Sequence, residues 1–353
     1  MNATEVQTLL DAYKPIFYLF SKEKYKPCSF DFLLRNANLV ENAKVVVNQD
    51  GVETVQRGDV TVSAPNVTNA LLYDISKGKY GGATGLKTTY LDFADKIMYG
   101  ESDPSKVPIY GIVRDRGDVL EITYVLNFAY NGPFTILNAQ KAGWHWGDLE
   151  HVTLLVKKPA SGVLSDITKV MFGAHGSADG RWVDVNDCAK QDGRLVVYVA
   201  DHSHALYPKP GMVFRLGGVA NDYTDDGIKW DPPFVQALYF DTDPNFNKDT
   251  MGWIYFSGRI GYDGISSLVD KYWFKEGEPM PGTKKLSAPP LLSMAQARVY
   301  YFIIASIIVA AIVGVIKLGF WQTKIDPDVF FALAVMLFVI FYDRLRYIIR
   351  IVS

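Results

Sequence analysis

The stretch VLEITYVLNFAY, residues 119–130, indicates the fold class because it is a short run rich in β-branched and aromatic residues. Comparable runs bounded by Gly, Asp, Asn and Pro are AKVVVNQDGVETV (43–55), HVTLLVKK (151–158), RLVVYVA (194–200), QALYF (236–240) and GWIYFSG (252–258). Asp50-Gly51 in the first of them is a strong hairpin signal. Many short strands without long helices are typical of a sandwich or barrel, and we predict an antiparallel β-sandwich over residues 1–275.

The composition excludes several classes of protein. The chain of 353 residues has 36 Lys and Arg against 38 Asp and Glu, so it lacks the basic excess of a general nucleic-acid binder. Its 49% hydrophobic and 14% aromatic residues argue against disorder. Two cysteines, Cys28 and Cys188, are too few for a disulfide-rich scaffold.

The C-terminal part is far more apolar than the rest. Residues 299–316 contain no charge, which predicts a transmembrane helix over 299–321 with Trp321 at the membrane interface. A second helix over 327–349 is predicted to complete a hairpin, although only residues 329–342 are continuously apolar. A buried soluble hairpin is the alternative for both segments. Residues 276–298, rich in Pro and Lys, form the predicted linker.

Basic residues around this hairpin predict its orientation in a lipid bilayer. Six flank the two outer ends of the hairpin and two lie around its turn; they are Lys284, Lys285, Arg298, Arg344, Arg346 and Arg350, and then Lys317 and Lys324. The excess places the large domain and the C-terminus on the cytoplasmic side. Residues 1–14 have no signal-peptide pattern.

All five histidines lie between positions 145 and 204, and the first cluster is GWHWGDLEHVTLLV, residues 143–156. In a strand, Asp148 and Glu150 point to one face, and His145 precedes them closely. One imidazole and two carboxylates make a half-site for a divalent cation, with oxygen ligands favouring Mg²⁺, Ca²⁺ or Mn²⁺ over structural zinc.

The second cluster is VYVADHSHALYPKPG, residues 197–211. His202 and His204 are two apart and would share a strand face, which could offer two nitrogens to one metal. The alternative for every histidine is a structural hydrogen bond. The alternative for Asp148 and Glu150 is to satisfy loop amides or to pair with an arginine.

Motifs for catalysis are missing from the sequence. It has no HExxH, GxSxG or CxxC motif, and YGGATGLKTT (80–89) lacks the glycine that a phosphate loop requires before its lysine. The run Asp201-His202-Ser203-His204 contains nucleophile and base types, but neighbours on a strand point apart. We therefore predict that the protein is not an enzyme.

Both histidine clusters resemble conserved blocks of the Vps62-like family of vacuolar-sorting-related proteins. Residues 143–156 resemble its H-x-G-D-W-E-H-V-T block, and residues 197–211 resemble its V-Y-x-A-x-x-x-H-A-x-Y-P-x-P-G block. Weaker matches are PIFYLFSKEKYKPCSFDF (15–32), ITYVLNFAYNGPF (122–134) and FSGRIG (256–261). The resemblance covers roughly residues 14–270 and not the predicted membrane hairpin.

The first block is also similar to the G-H-R-H-D-W-E motif of NLP (necrosis-inducing) proteins, a β-sandwich group with a divalent metal. This similarity implies that His145, Asp148 and Glu150 occupy metal-ligand positions. Gly147 and Leu149 depart from the motif. The resemblance therefore implies either a divalent-metal site, for Ca²⁺ or Mg²⁺, or a site that has become a hydrogen-bond network stabilising the fold.

Two non-catalytic functions fit these observations. In the first, a membrane-anchored sandwich recruits a lipid head group, a glycan or a trafficking partner. In the second, the chain is a lattice subunit that ties a protein shell, such as a virus capsid or organelle complex, to a bilayer. Metal-dependent hydrolysis is a third hypothesis. The expected partners are a lipid bilayer and proteins of a larger assembly, with no nucleic acid.

Overall fold

A computed structural model describes residues 1–42, 44–47, 53–56, 58–79, 89–136, 140–142, 144–174, 181–213 and 222–261. All of these except Val213 belong to the compact unit formed by residues 1–212 and 222–288. The predicted linker (276–298) and the two predicted transmembrane segments, with Arg298, Trp321, Arg344 and Arg346, lie outside the described residues.

The described residues form four short α-helices and 21 strands, besides several short 3₁₀ and π turns. The helices are α1 (Ala3–Ala12), α2 (Phe30–Asn36), α3 (Asn69–Asp74) and α4 (Lys248–Met251). The strands are β1 (Ile16–Leu19), β2 (Ala37–Glu41), β3 (Lys44–Val47), β4 (Glu53–Gln56), β5 (Asp59–Val62), β6 (Tyr90–Phe93), β7 (Ile109–Asp115), β8 (Val119–Asn131), β9 (Phe134–Ile136), β10 (Gln140–Ala142), β11 (His145–Lys157), β12 (Ile167–Phe172), β13 (Arg181–Asp184), β14 (Lys190–Gln191), β15 (Arg194–Val199), β16 (Leu206–Tyr207), β17 (Gly211–Val213), β18 (Asp222–Thr224), β19 (Ile228–Trp230), β20 (Val235–Ala237) and β21 (Arg259–Ile260).

The centre of the molecule is a six-stranded sheet in the order β13-β12-β11-β8-β7-β20. Its two longest strands, β8 and β11, have 13 residues each and pair antiparallel from His145↔Asn131 to Lys157↔Val119. The eleven inner residues of β8 are all buried. The central sheet is therefore covered on both faces, which is why residues 119–130 read as a nearly continuous apolar run.

One face of the central sheet packs on a second sheet, ordered β14-β15-β1-β19 with β16 beside β15. Phe17 of β1, Val197 of β15 and Trp230 of β19 meet Tyr124 and Phe128 of β8 in one buried cluster. The two sheets thus enclose an apolar core, as a sandwich does.

The opposite face of the central sheet packs on helices and a third sheet, ordered β21-β6-β2-β5. Phe30 of α2 stacks on Trp253 with ring centroids 4.2 Å apart. The Tyr110 hydroxyl of β7 accepts a 2.6 Å hydrogen bond from the Phe30 amide. This layer buries the face that an ordinary sandwich would leave to solvent.

The predicted hairpin is confirmed in its strands. β3 and β4 pair antiparallel, from Lys44↔Gln56 to Val47↔Glu53, on either side of Asp50-Gly51. The turn residues themselves lie outside the described part of the chain.

The prediction of a purely antiparallel sandwich is wrong for the described chain, and the predicted C-terminal transmembrane hairpin falls on residues outside it. The sheets are mixed, because β1 pairs parallel with β15, β7 with β20 and β6 with β21. In addition, none of the described helices is long and apolar enough to cross a membrane. Each parallel pair joins segments that are distant in the sequence, so local turn and alternation signals do not reveal it.

Candidate functional site

The parallel pairing of β1 and β15 brings two loops to one edge of the second sheet. The register runs from Ile16↔Val196 to Leu19↔Val199, so both strands end side by side. One loop, residues 20–27, contains Glu23. The other, residues 200–205, contains Asp201, His202 and His204. Polar residues that lie far apart in the chain therefore meet here.

Glu23 ties the two loops together. Its side chain is fully buried. One carboxylate oxygen accepts a 2.7 Å hydrogen bond from the Tyr25 amide in its own loop, and the other accepts a 2.7 Å bond from the His202 amide in the second loop. Amide donors satisfy this carboxylate without neutralising its charge.

The second loop has an unusual backbone. His202 and His204 have φ values of 61° and 52°, in the left-handed region that costs an ordinary residue roughly 1–2 kcal/mol. Neighbouring contacts hold this conformation, since the Gly132 amide donates to the His202 carbonyl (3.0 Å) and the His204 amide donates to the Ala200 carbonyl (3.2 Å). Strain of this kind is often found at functional sites.

Three side chains of metal-ligating types converge between these loops, and we call Glu23, Asp201 and His202 the open group. Their ligand atoms all lie within 4.8 Å of one another. His202 Nδ1 is 3.6 Å from Asp201 Oδ1 and 3.9 Å from Glu23 Oε1, too far for hydrogen bonds. Asp201 Oδ1 and His202 Nδ1 are both buried without a hydrogen-bond partner.

The electrostatics of the open group favour a positive charge. Burial raises the pKa of the Asp201 carboxyl, and the Glu23 carboxylate raises it further against the opposing effect of His202. Two carboxylates in a half-buried site repel each other unless a cation lies between them. The geometry and the charge are therefore those of a site that could hold a metal ion.

Directly beneath lies a second group, the closed pair, which consists of Asp148 and His204. His204 Nδ1 is 2.7 Å from Asp148 Oδ2, and its Nε2 is 3.1 Å from the Tyr25 carbonyl oxygen. Both partners accept hydrogen bonds, so both ring nitrogens donate and the ring is an imidazolium. The ring is fully buried and stacks on Phe128, with centroids 3.7 Å apart and planes at 4°.

The pKa of His204 agrees with this assignment. Burial by itself lowers it, but the hydrogen bond to Asp148 and the charges of Glu23 and Asp148 outweigh burial and raise the pKa above its ordinary value. The closed pair is thus a buried ion pair whose imidazolium supplies the positive charge beside Asp148.

The residues predicted from the first histidine cluster are not brought together as one group. Asp148 and Glu150 lie opposite Phe128 and Leu126 and share a strand face, as period-two alternation predicts. Asp148, however, pairs with His204, and His145 Nδ1 lies 2.9 Å from the Gly147 carbonyl oxygen. Within the part of the chain that the structure describes, only the open group has three ligating side chains this close.

The two histidines of the second cluster have different roles. His202 belongs to the open group, and its side chain is 30% exposed, whereas His204 belongs to the closed pair. Glu23, which joins them, was missed in the sequence because the weak family match of residues 15–32 gives SKEKYK (21–26) no chemical role. Glu23 follows β1 closely in the sequence. Its proximity to Asp201 and His202 can be recognised only once β1 is known to pair with β15.

Aromatic rings border the open group. The Tyr25 ring lies 5.6 Å from the His202 ring and 5.1 Å from the Tyr130 ring. It also stacks on Tyr99 at 6.0 Å, and Tyr99 is 52% exposed. The site therefore opens to solvent beside an aromatic surface.

Comparison with known families confirms the first resemblance. The family model for vacuolar protein sorting-associated protein 62 matches residues 114–241, less than half of the chain. The matched part includes β8, β11 and the loop with Asp201, His202 and His204, but not Glu23. No curated protein sequence matches the chain.

Solved structures of NLP proteins are similar to this chain at low identity. Necrosis and ethylene inducing protein 2, from the causal agent of cocoa's Witches Broom disease, is 12% identical with a TM-score of 0.31, covering 65% of this chain and 72% of that one. NLPPya in complex with mannosamine is 13% identical with a TM-score of 0.32, covering 64% and 73%. A mutant of NLPPya is 13% identical with a TM-score of 0.33, covering 76% and 88%.

Proposed function

We propose that this β-rich protein binds a divalent cation through the open group and uses it to hold a ligand without catalysis. The observation that carries the proposal is the convergence of two buried atoms without hydrogen-bond partners, Asp201 Oδ1 and His202 Nδ1, on the Glu23 carboxylate. Buried polar atoms in native proteins are nearly always paired, and a bound cation would pair both atoms at once.

The distances favour Ca²⁺ over Mg²⁺. Neighbouring ligands at 90° to one another lie about 3.4 Å apart around Ca²⁺ at about 2.4 Å, and about 3.0 Å apart around octahedral Mg²⁺ at about 2.1 Å, so a wide spacing suits the larger ion better. The observed separations from His202 Nδ1 are 3.6 and 3.9 Å. Both ions prefer oxygen ligands, so the His202 nitrogen does not distinguish them and the spacing is what favours calcium.

The three side chains would leave coordination positions free. Ca²⁺ takes six to eight ligands, and the open group supplies three side chains, of which Asp201 and His202 are partly exposed. Oxygen atoms of a head group, a glycan or a protein partner could occupy the remaining positions beside Tyr25 and Tyr99. In this form of the recruiting function, the bound cation links the protein to its ligand.

The position of Ser203 supports binding rather than hydrolysis. Its hydroxyl donates a 2.8 Å hydrogen bond to Asp222 Oδ1. A serine nucleophile would instead donate to a histidine base. The neighbouring His204 has both ring nitrogens engaged by Asp148 and Tyr25, so it is not available as that base.

The test is calorimetric titration of the full-length chain with CaCl₂ and, separately, MgCl₂. We expect saturable one-to-one Ca²⁺ binding that is stronger than Mg²⁺ binding and is lost in Asp201→Asn, which keeps the size of the side chain but removes its charge. Asp187→Asn is the control, because Asp187 is an exposed carboxylate outside the group. No Ca²⁺ binding by the wild type, or equal binding by Asp201→Asn, would refute the proposal.

A further inference from the structure

The closed pair lies too deep to contact a ligand, yet it is connected to every part of the open group. We propose that Asp148 and His204 are positioning residues that hold Asp201 and His202 in the arrangement that binds the cation. This inference rests on the proposed function. It assigns to Asp148 a role other than the metal-ligand position that the sequence motif implies.

The first connection runs through the backbone. His204 is two residues from His202 and three from Asp201, and the His204 amide donates to the Ala200 carbonyl oxygen (3.2 Å). His202 and His204 both have left-handed backbone conformations, so the course of this loop depends on the two residues together. Movement of the His204 ring would therefore alter the direction of the His202 side chain.

The second connection runs to the other loop. His204 Nε2 donates to the Tyr25 carbonyl oxygen (3.1 Å), while Glu23 accepts hydrogen bonds from the amides of Tyr25 and His202. The imidazolium is also 3.8 Å from Glu23 Oε2. The His204 ring therefore contacts both loops close to the three side chains of the open group.

The third connection anchors the ring to the central sheet. Asp148 of β11 accepts from Nδ1, and Phe128 of β8 covers one face of the ring. Because the ring is held at both nitrogens and by stacking, it has one orientation. Asp148 thus anchors the loops that carry the open group to strands β8 and β11 of the central sheet.

Positioning and simple electrostatics predict different results for two variants. Asp148→Asn removes a negative charge, so electrostatics alone predicts weaker cation binding. His204→Asn removes a positive charge, so electrostatics alone predicts tighter binding. Positioning predicts weaker binding in both, and asparagine is chosen at position 204 because it tolerates the left-handed backbone.

The experiment titrates CaCl₂ into the full-length wild type and both variants. We expect each variant to bind Ca²⁺ about 10–100-fold more weakly, the range found when partners behind metal ligands are removed. Val152→Ala is the control for lost stability, because Val152 is fully buried on the same strand but outside the pair. Its Ca²⁺ affinity should equal that of the wild type. Tighter binding by His204→Asn, or equal losses in Val152→Ala, would overturn the inference.

A second readout needs no calcium. Amide hydrogen exchange at His202 and Gly132 reports whether the loop keeps its hydrogen bonds to Glu23 and to the Gly132 segment. We expect faster exchange at both amides in Asp148→Asn than in Val152→Ala. If the wild type binds no Ca²⁺ but this difference appears, the proposed function fails and the positioning role stands. Equal exchange in the two variants would refute positioning.

Discussion

The open group and the closed pair each combine one histidine of the loop of residues 200–205 with carboxylate side chains, yet they differ in how fully their polar atoms are hydrogen-bonded. In the closed pair, both nitrogens of His204 have acceptors, and Asp148 has a charged partner. In the open group, Asp201 Oδ1 and His202 Nδ1 are buried and have no hydrogen-bond partner. Capacity for a ligand therefore depends on which polar atoms the fold has left unsatisfied and not on which residues a motif contains.

The largest effect is expected from His204→Ala. Removing one member of a buried ion pair leaves the other charge unpaired, which typically costs about 3–5 kcal/mol of folding free energy. Urea unfolding of the wild type and the variant measures this difference. A loss below about 1 kcal/mol would mean that the closed pair contributes little and that the comparison between the two groups is wrong.

Calcium itself should stabilise the fold through the open group. At a free concentration 100 times the dissociation constant, a ligand that binds only the native state adds about 2.7 kcal/mol. Thermal melts with added CaCl₂, and again after chelation with EGTA, should show this as a higher melting temperature that Asp201→Asn abolishes. A shift of the same size in Asp201→Asn would show that calcium acts at another place.

Gly132→Ala should disturb the open group from the side of the central sheet. A Cβ atom there would lie 2.2 Å from the Tyr25 ring and 3.1 Å from His202 Nδ1, so both side chains must move. Overpacking of this kind costs roughly 1–3 kcal/mol, and we expect Ca²⁺ affinity to fall with it. Calorimetry together with urea unfolding measures both quantities. If the variant lost stability but bound Ca²⁺ as the wild type does, Gly132 would have no role in the geometry of the open group.

The smallest effect is expected from His145→Gln. His145 bonds the Gly147 carbonyl oxygen and is not part of the open group, so stability should change by less than about 0.5 kcal/mol. Ca²⁺ affinity should stay at the wild-type value. If His145→Gln removed calcium binding while Asp201→Asn retained it, the site implied by the motif would be correct and the open group would not.

Part of the site could be predicted because the necessary information is local. Alternation along residues 145–157 places Asp148 and Glu150 on one face, and this follows from the period of any strand. The Asp50-Gly51 signal likewise predicts the pairing of β3 with β4, since both strands lie within a few residues of it. Such predictions require no knowledge of distant parts of the chain.

The partner of each side chain could not be predicted in the same way. Whether Asp148 meets a metal ion or His204 depends on where the loop of residues 200–205 packs, and that loop is fixed by the parallel contact between β1 and β15. Glu23 enters the site through the same contact. A strand of four residues carries no signal of the direction or identity of its neighbour.

The sequence by itself determined a mainly β chain, two histidine-containing blocks and a resemblance that the Vps62 family model bears out over residues 114–241. These properties depend on composition, on the local alternation of apolar residues and on motif spacing, all of which can be read from the sequence directly. Only the tertiary structure decided that the sheets are mixed, that Asp148 is occupied by an imidazolium and that Glu23, Asp201 and His202 converge. The physical reason is that hydrogen bonding and charge pairing act over a few ångströms in space, between residues whose separation in sequence sets no limit on their contact.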